Sequence, residues 1–329
     1  MDNAVFAPVM VTTICRFEKF KRCIESLANC TDADKTEVFI GVDYPAKEEH
    51  WEGYRKICEY LPSIKGFKET HIVKRTENFG QIKNNRDLRD RIQENHDRYI
   101  MTEDDNEFSP NFLQYMNQCL EKYKDDPNVL SVCGYSYQQW ENVGDYPYNA
   151  YLMEGYCAWG VGFWFEKNEK FSAFLSADEV IHNPKLVRQL FRKKMHITVH
   201  RLFYRYEKSG ADLRRRCYCA LENKRSIFPV VTKVRNHGFD SEGAHCAEIN
   251  TYAKQRIDES PSFVLDDFDS TKDYPQIDKL HDVQYAGNLL FRILVRIEYL
   301  QWRITGKAFR DWKLVKAIQK ARVKYSLND

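Results

Sequence analysis

The chain has 329 residues, of which 43% are hydrophobic and 14% aromatic, enough to bury a sizeable core in one large or two modest domains. Fifty Lys and Arg against 48 Asp and Glu leave a net charge of +2, which gives no global reason to expect nucleic acid or another polyanion as partner. Ten cysteines in a chain this long form no dense framework, and Cys217 and Cys219 stand too close together for the usual CxxC zinc pairing, so reduced cytosolic thiols are expected.

The opening "MDNAVFAPVMVTTICRF" lacks a basic stretch before its apolar run, contains Pro8 and flows into a first strand, so it does not read as a signal peptide. β-Type runs then alternate with helical patterns: "VMVTTI", "FEKFKRCIESLANC", "EVFIGVD", "EEHWEGYRKICEYL", "HIVKRT", "NNRDLRDRIQENH" and "RYIMTEDD". In the first helical run Phe20, Cys23, Ile24 and Leu27 fall at i, i+3, i+4 and i+7, one apolar stripe with charges opposite. The alternation predicts βαβ units, a largely parallel sheet covered on both faces, and a ligand crevice at its carboxyl edge. Asp43, Asp104 and Asp105 all fall at carboxyl ends of predicted strands. Between them, in "NFGQIKNNRDL", Gly80 permits a close backbone approach, and Asn84 or Asn85 is expected to cap the next helix.

The segment "YIMTEDDNEFSP" places Glu103, Asp104 and Asp105 together at the end of an apolar strand. Their repulsion raises the free energy of the fold unless water, a cation or a basic group compensates them. A hard divalent cation takes carboxylate oxygens of this kind. Ser109 and Pro110 are expected as N-cap and first residue of the following helix. Further on, "AYLMEGYCAWGVGFWF" mixes glycines with large rings, which suits either a sugar site or a hydrophobic cluster under a loop. In "VRNHGFDSEGAHC", His237, Asp240, His245 and Cys246 look superficially like a transition-metal cluster, a reading not favoured over solvent-facing histidines. From 288 to 326 ten Lys/Arg face two acids. Residues 289 to 304 fit an amphipathic helix packed on the body with a solvated basic face, and 308 to 329 suit the surface of an anionic bilayer.

Four blocks in order, "VMVTTICRFEKFKRCIESL", "GVD", "EDDNEFSPNFL" and "FPVVTKVRNHGFDSEGAHC", resemble the GT-A nucleotide-sugar glycosyltransferases, in particular N-acetylglucosaminyltransferase I and its bacterial relatives. The resemblance covers residues 8 to 246. It implies an α/β GT-A (Rossmann-like) fold with a mostly parallel central sheet and flanking helices, to which a basic C-terminal helical extension is added. Residues 1–250 would be the catalytic domain, nucleotide-binding to about 135 and acceptor-binding beyond; 251–287 would connect it to the tail, 288–329.

By the same resemblance the acid triplet is a DxD variant. Asp105 would bind a divalent metal, Mn²⁺ or Mg²⁺, and Asp104 or Glu103 would lie near the ribose and sugar of a nucleotide-sugar donor. Arg16 would meet the phosphates and Asp43 the uracil or ribose. Trp159, Gly160 and Glu154 would line the donor-sugar and acceptor pocket, and His237 or His245 would touch a phosphate or the metal. An inverting transfer needs one carboxylate base. Asp212 in "SGADLRRR" occupies the slot, although Ala211 replaces the family's tryptophan; Glu154 is the second choice. The implied activity is sugar transfer from a nucleotide-sugar, by the resemblance a UDP-sugar, to a glycan or lipid-linked glycan hydroxyl. Alternatives are a nucleotidyltransferase, disfavoured because no GxxxxGK[ST] loop follows the first strand, and a non-catalytic peripheral membrane protein. A cytoplasmic location, peripheral on the inner face of the membrane, is expected.

Overall fold

The computed structural model describes residues 5–142, 144–205, 211–239 and 251–306. The first half alternates as expected: β1 (Val9–Thr13), α1 (Phe17–Ala28), β2 (Glu37–Val42), α2 (Trp51–Tyr60), β3 (Glu69–Lys74), α3 (Gly80–Gln93) and β4 (Arg98–Glu103). There follow β5 (Asn106–Phe108), α4 (Phe112–Lys122), β6 (Val129–Cys133), β7 (Ala150–Met153) and β8 (Val161–Trp164). A helical run comes next: α5 (Phe165–Ser172), α6 (Ala177–His182), α7 (Pro184–Arg192), α8 (His196–Arg205) and α9 (Ala211–Leu221). The described chain closes with β9 (Arg225–Pro229), β10 (Val234–Asn236), α10 (Pro275–His281) and α11 (Leu289–Thr305).

Eight strands form one sheet in the order β3-β2-β1-β4-β8-β6-β9-β7, while β5 and β10 make a separate antiparallel ribbon. Within the large sheet β7 and β8 run against the other six strands. The chain leaves β1 toward β2 and β3 on one side and reaches β4 on the other. The carboxyl ends of β1 and β4 therefore border the point where strand order reverses, where open α/β sheets hold their ligands.

Strand alternation explains the two cores. Val9, Val11, Val38 and Ile40 enter the layer built by α1, α2 and α4, while Met10 and Phe39 enter the opposite layer with α3 and the helices from α6 to α9. The stripe read in α1 is buried as expected, Phe20, Cys23 and Leu27 being wholly inaccessible. The nine cysteines among the described residues form no disulfide.

Two local expectations are corrected, and a third segment is placed. Helix α3 begins at Gly80, whose φ of +67° suits glycine, so Asn84 and Asn85 lie inside the helix and cap nothing. Asn84 instead donates to the Gly41 carbonyl and accepts from buried Arg75, and Asn85 accepts from Thr12. The N-cap position of α4 is held by Asn111, two residues beyond Ser109, whose carbonyl receives the Phe112 N–H at 3.1 Å. The segment expected as a connector is stitched to the body: Asp258 pairs with buried Lys233, and Phe263 packs edge-on against Tyr115 at 5.3 Å. Asp240, His245, Cys246 and residues 307–329 lie outside the described residues.

Candidate functional site

The acids of the "EDD" segment converge with β1 at the reversal point. Asp104 and Asp105 are 3% and 6% exposed, so their charges need local compensation, and a basic group supplies it. Arg16, three residues past β1, donates to Asp105 Oδ2 at 2.8 Å and ion-pairs through its other nitrogen with Asp104 Oδ1. Burial opposes the arginine charge, but Asp104 and Asp105 outweigh it and hold its pKa above the ordinary value. Thr13 completes the shell, donating to Asp104 Oδ2 at 2.7 Å.

The β5–β10 ribbon closes the other side. The Asn236 amide donates to Asp105 Oδ1 and Asn106 Oδ1, both at 2.9 Å, and the His237 N–H donates to the Asp105 carbonyl at 2.8 Å. Neither Thr13 nor Asn236 was singled out by sequence reasoning; Asn236 adjoins His237 in the "VRNHGF" block, which was the available signal. The His237 ring does not face these carboxylates: it is hydrogen-bonded to Glu107 at 2.7 Å. Among the described residues, the one group of potential ligands found close together is Glu37, Glu69 and His71, at the amino ends of β2 and β3. Lys68 already engages Glu37 there, at 2.7 Å.

Asp212, in the first turn of α9, is exposed, and its charge reaches the triplet. Burial first, then Asp105, Asp212 and Asp104, push the Glu103 carboxyl up to about 8. Glu103, Asp104 and Asp105 thus share one region with Arg16, within reach of the Asp212 charge. Two arginines that follow Asp212 are structural: Arg214 caps carbonyls at the end of α5, and Arg215 bonds Asn168 at 2.6 Å. Asp43 sits at the end of β2 as expected, but its Oδ1 already accepts the Tyr44 and Phe79 N–H groups at 2.9 and 2.8 Å, fixing the loop before α3.

The glycine and aromatic segment divides. Phe163, Trp164 and Phe165 are buried core. Half-buried Trp159 meets Tyr135, Tyr252 and Phe239 edge-on at 4.7, 5.1 and 5.5 Å, and Phe239 directly follows Gly238, which abuts Asp105. Gly160, at φ +60°, fits its backbone against Phe112 and Val234 and accepts from Gly134. Glu154 is not brought to this site. It follows β7, which runs antiparallel, so Met153 pairs with Ser226 at the amino end of β9, on the far edge of the sheet. There Glu154 is bound by Lys193 at 2.5 Å.

The donor set of Asp104 and Asp105, hard oxygens with a neighbouring amide, is of the type that Mg²⁺ or Mn²⁺ takes, and Arg16 occupies the compensating role in the structure.

No protein-family model matches the chain, and no curated protein matches it. Among solved structures it is similar to GalNAc-T7 with UDP, GalNAc and Mn²⁺, at 10% identity over 72% of this chain and 44% of that one, TM-score 0.43. It is similar to Staphylococcus aureus TarS 1-349 at 10% identity over 71% and 61%, TM-score 0.39. The mannosyltransferase PcManGT from Pyrobaculum calidifontis, in complex with GDP-Man and Mn²⁺, is similar at 13% identity over 99% and 90%, TM-score 0.39. The chain thus spans less than two thirds of the first two of these relatives.

Proposed function

We propose that the protein is an inverting, metal-dependent GT-A glycosyltransferase that moves a sugar from a nucleotide-sugar, a UDP-sugar by family resemblance, to a hydroxyl of a glycan or lipid-linked glycan. The observation that carries this reading is the convergence of Glu103, Asp104 and Asp105 with Arg16, within reach of the Asp212 charge, where the strand order reverses. Asp105, with Asp104 beside it, would hold the divalent cation. When bound, such a cation favours departure of the diphosphate, because it interacts more strongly as negative charge grows there.

The chain's own groups do the rest. Arg16 stands ready to exchange part of its carboxylate contact for a donor phosphate. Asp43 holds the loop at 78–79 where the base and ribose would lie. Half-buried Trp159 and Phe239, backed by buried Tyr135, offer ring surface near Gly238 and Asp105 for the transferred sugar. Asp212, exposed at the start of α9, accepts the proton of the acceptor hydroxyl as its oxygen attacks the anomeric carbon. We also place the protein on the cytoplasmic face of an anionic membrane through its basic region 288–329. Among the described residues no helix is long and apolar enough to cross a bilayer.

The test is incubation of UDP-sugars with acceptors and, in parallel, of UTP with sugar 1-phosphates, each with and without Mn²⁺, scoring UDP release in the first, pyrophosphate release in the second, and the product anomer by NMR. Metal-dependent UDP release with inversion is expected. Pyrophosphate release would make the protein a nucleotidyltransferase, and retention of configuration would remove the base role of Asp212.

A further inference from the structure

Helix α11 has two apolar faces, and among the described residues only one is covered. Phe291, Val295 and Tyr299 are buried against the body, where α11 meets α8, and its only acid, Glu298, is turned inward onto His200 at 3.1 Å. The outward residues Leu289, Leu290, Ile293, Ile297, Leu300 and Ile304 are between 46% and 83% exposed. At about 100° per residue these six fall within an arc of about 100°, a continuous stripe along a helix about 25 Å long. Asn288 caps its start, accepting the Phe291 N–H at 2.8 Å, and Gly306 ends it at φ +68°. The expected solvated basic face is thus narrowed to one flank, where Arg296 and Arg303 are exposed, and the rest of the outward face is apolar.

A contiguous apolar face of this extent calls for a partner, and charge selects among the candidates. Residues 307–329 carry seven Lys/Arg against two acids. Folding that segment over α11, or pairing the face with its own copy about a two-fold axis, would bring like charges together beside Arg296 and Arg303. An anionic lipid surface satisfies the apolar stripe and the cations at once.

We propose that α11 is an interfacial helix whose outward face docks into the headgroup–acyl boundary of an anionic bilayer. This deepens the membrane-associated reading above, on which it rests, by moving the apolar anchor from the basic tail to a helix of the folded body.

The test is co-sedimentation of the full chain with vesicles of phosphatidylcholine alone or mixed with phosphatidylglycerol. The variants are Ile293→Glu with Ile297→Glu, deletion of 307–329, and Arg296→Glu with Arg303→Glu. Both isoleucines point outward, so the double variant should keep the wild-type circular dichroism and UDP release. Its partitioning onto mixed vesicles is expected to fall by about tenfold per substitution. The arginine variant should show a reduced preference for anionic lipid, the cations of 307–329 remaining, and the deletion should weaken binding without abolishing it.

Wild-type binding by the isoleucine variant, with binding lost on deletion, would overturn the assignment to α11 while leaving the peripheral-membrane reading intact. No binding by any form would overturn both. Sedimentation equilibrium supplies the remaining outcome: a wild-type dimer that the isoleucine pair makes monomeric, without vesicle binding, would make the face a self-interface and overturn the proposal.

Discussion

Gly238 lies directly against the carboxylate of Asp105: a methyl carbon at position 238 would collide with Oδ2. The same Oδ2 receives the Arg16 guanidinium at 2.8 Å, so no side chain fits there unless the carboxylate moves. Gly238→Ala is therefore expected to reduce transfer by an order of magnitude or more with circular dichroism unchanged. Unaltered turnover would show that the Asp105 position is not critical.

Asp212 tests the base. Asp212→Asn removes a proton acceptor at an exposed position and leaves the Asp104–Asp105–Arg16 arrangement in place. The rate should fall by about 10²–10⁴-fold with donor affinity retained. A normal rate would send the search for the base elsewhere, though not to Glu154 on the opposite edge.

Lys233 is 2% exposed and ion-paired with Asp258, tying the 251–268 segment to the sheet. Despite the opposing effect of burial, Lys233, the Ser260 N–H and Asn111 hold the Asp258 carboxyl down to about 2. Its contribution to stability is thus full above the ordinary aspartate value and is lost as pH falls toward about 2. Asp258→Ala leaves a buried cation unpaired and should cost about 3–5 kcal/mol in urea denaturation at neutral pH. A loss below about 1 kcal/mol would mean that the pair contributes little.

Burial holds the imidazoles of His196 and His281 down to about 4. Between that value and the ordinary one of about 6.5 the unfolded chain binds protons that the folded protein refuses, so stability declines as pH falls through this window. Urea midpoints measured across it should fall toward acid, and less steeply when both histidines are replaced by glutamine. An identical slope in the double variant would contradict the assignment.

Much of the first half was legible because period-two and period-3.6 patterns are local. The stripe of Phe20, Cys23, Ile24 and Leu27 needed no tertiary knowledge, and the strand ends placed Asp43, Asp104 and Asp105 correctly. What failed depended on distant contacts. Asn84 looks like a cap by local chemistry, but Arg75 and the Gly41 carbonyl claim its amide inside the helix. Asn236 meets Asp105 across 131 residues of chain, a pairing no spacing reveals. Glu154 lies five residues from Trp159, yet the antiparallel direction of β7 puts it on the other edge. Arg296 and Arg303 of α11 do face solvent as expected, but the apolar residues beside them, Leu290 and Ile297 among them, turn outward too, because it is Phe291, Val295 and Tyr299 that are buried against the body.

The central claim is that Asp105 anchors a metal-dependent nucleoside-diphosphate site, and calorimetric titration of UDP into wild-type protein and Asp105→Asn, each with Mn²⁺ or with chelator, tests it most directly. Binding should appear in the wild type with Mn²⁺, disappear with chelator, and be lost in Asp105→Asn while the variant remains folded. UDP affinity that is indifferent to both the metal and the substitution would contradict the account.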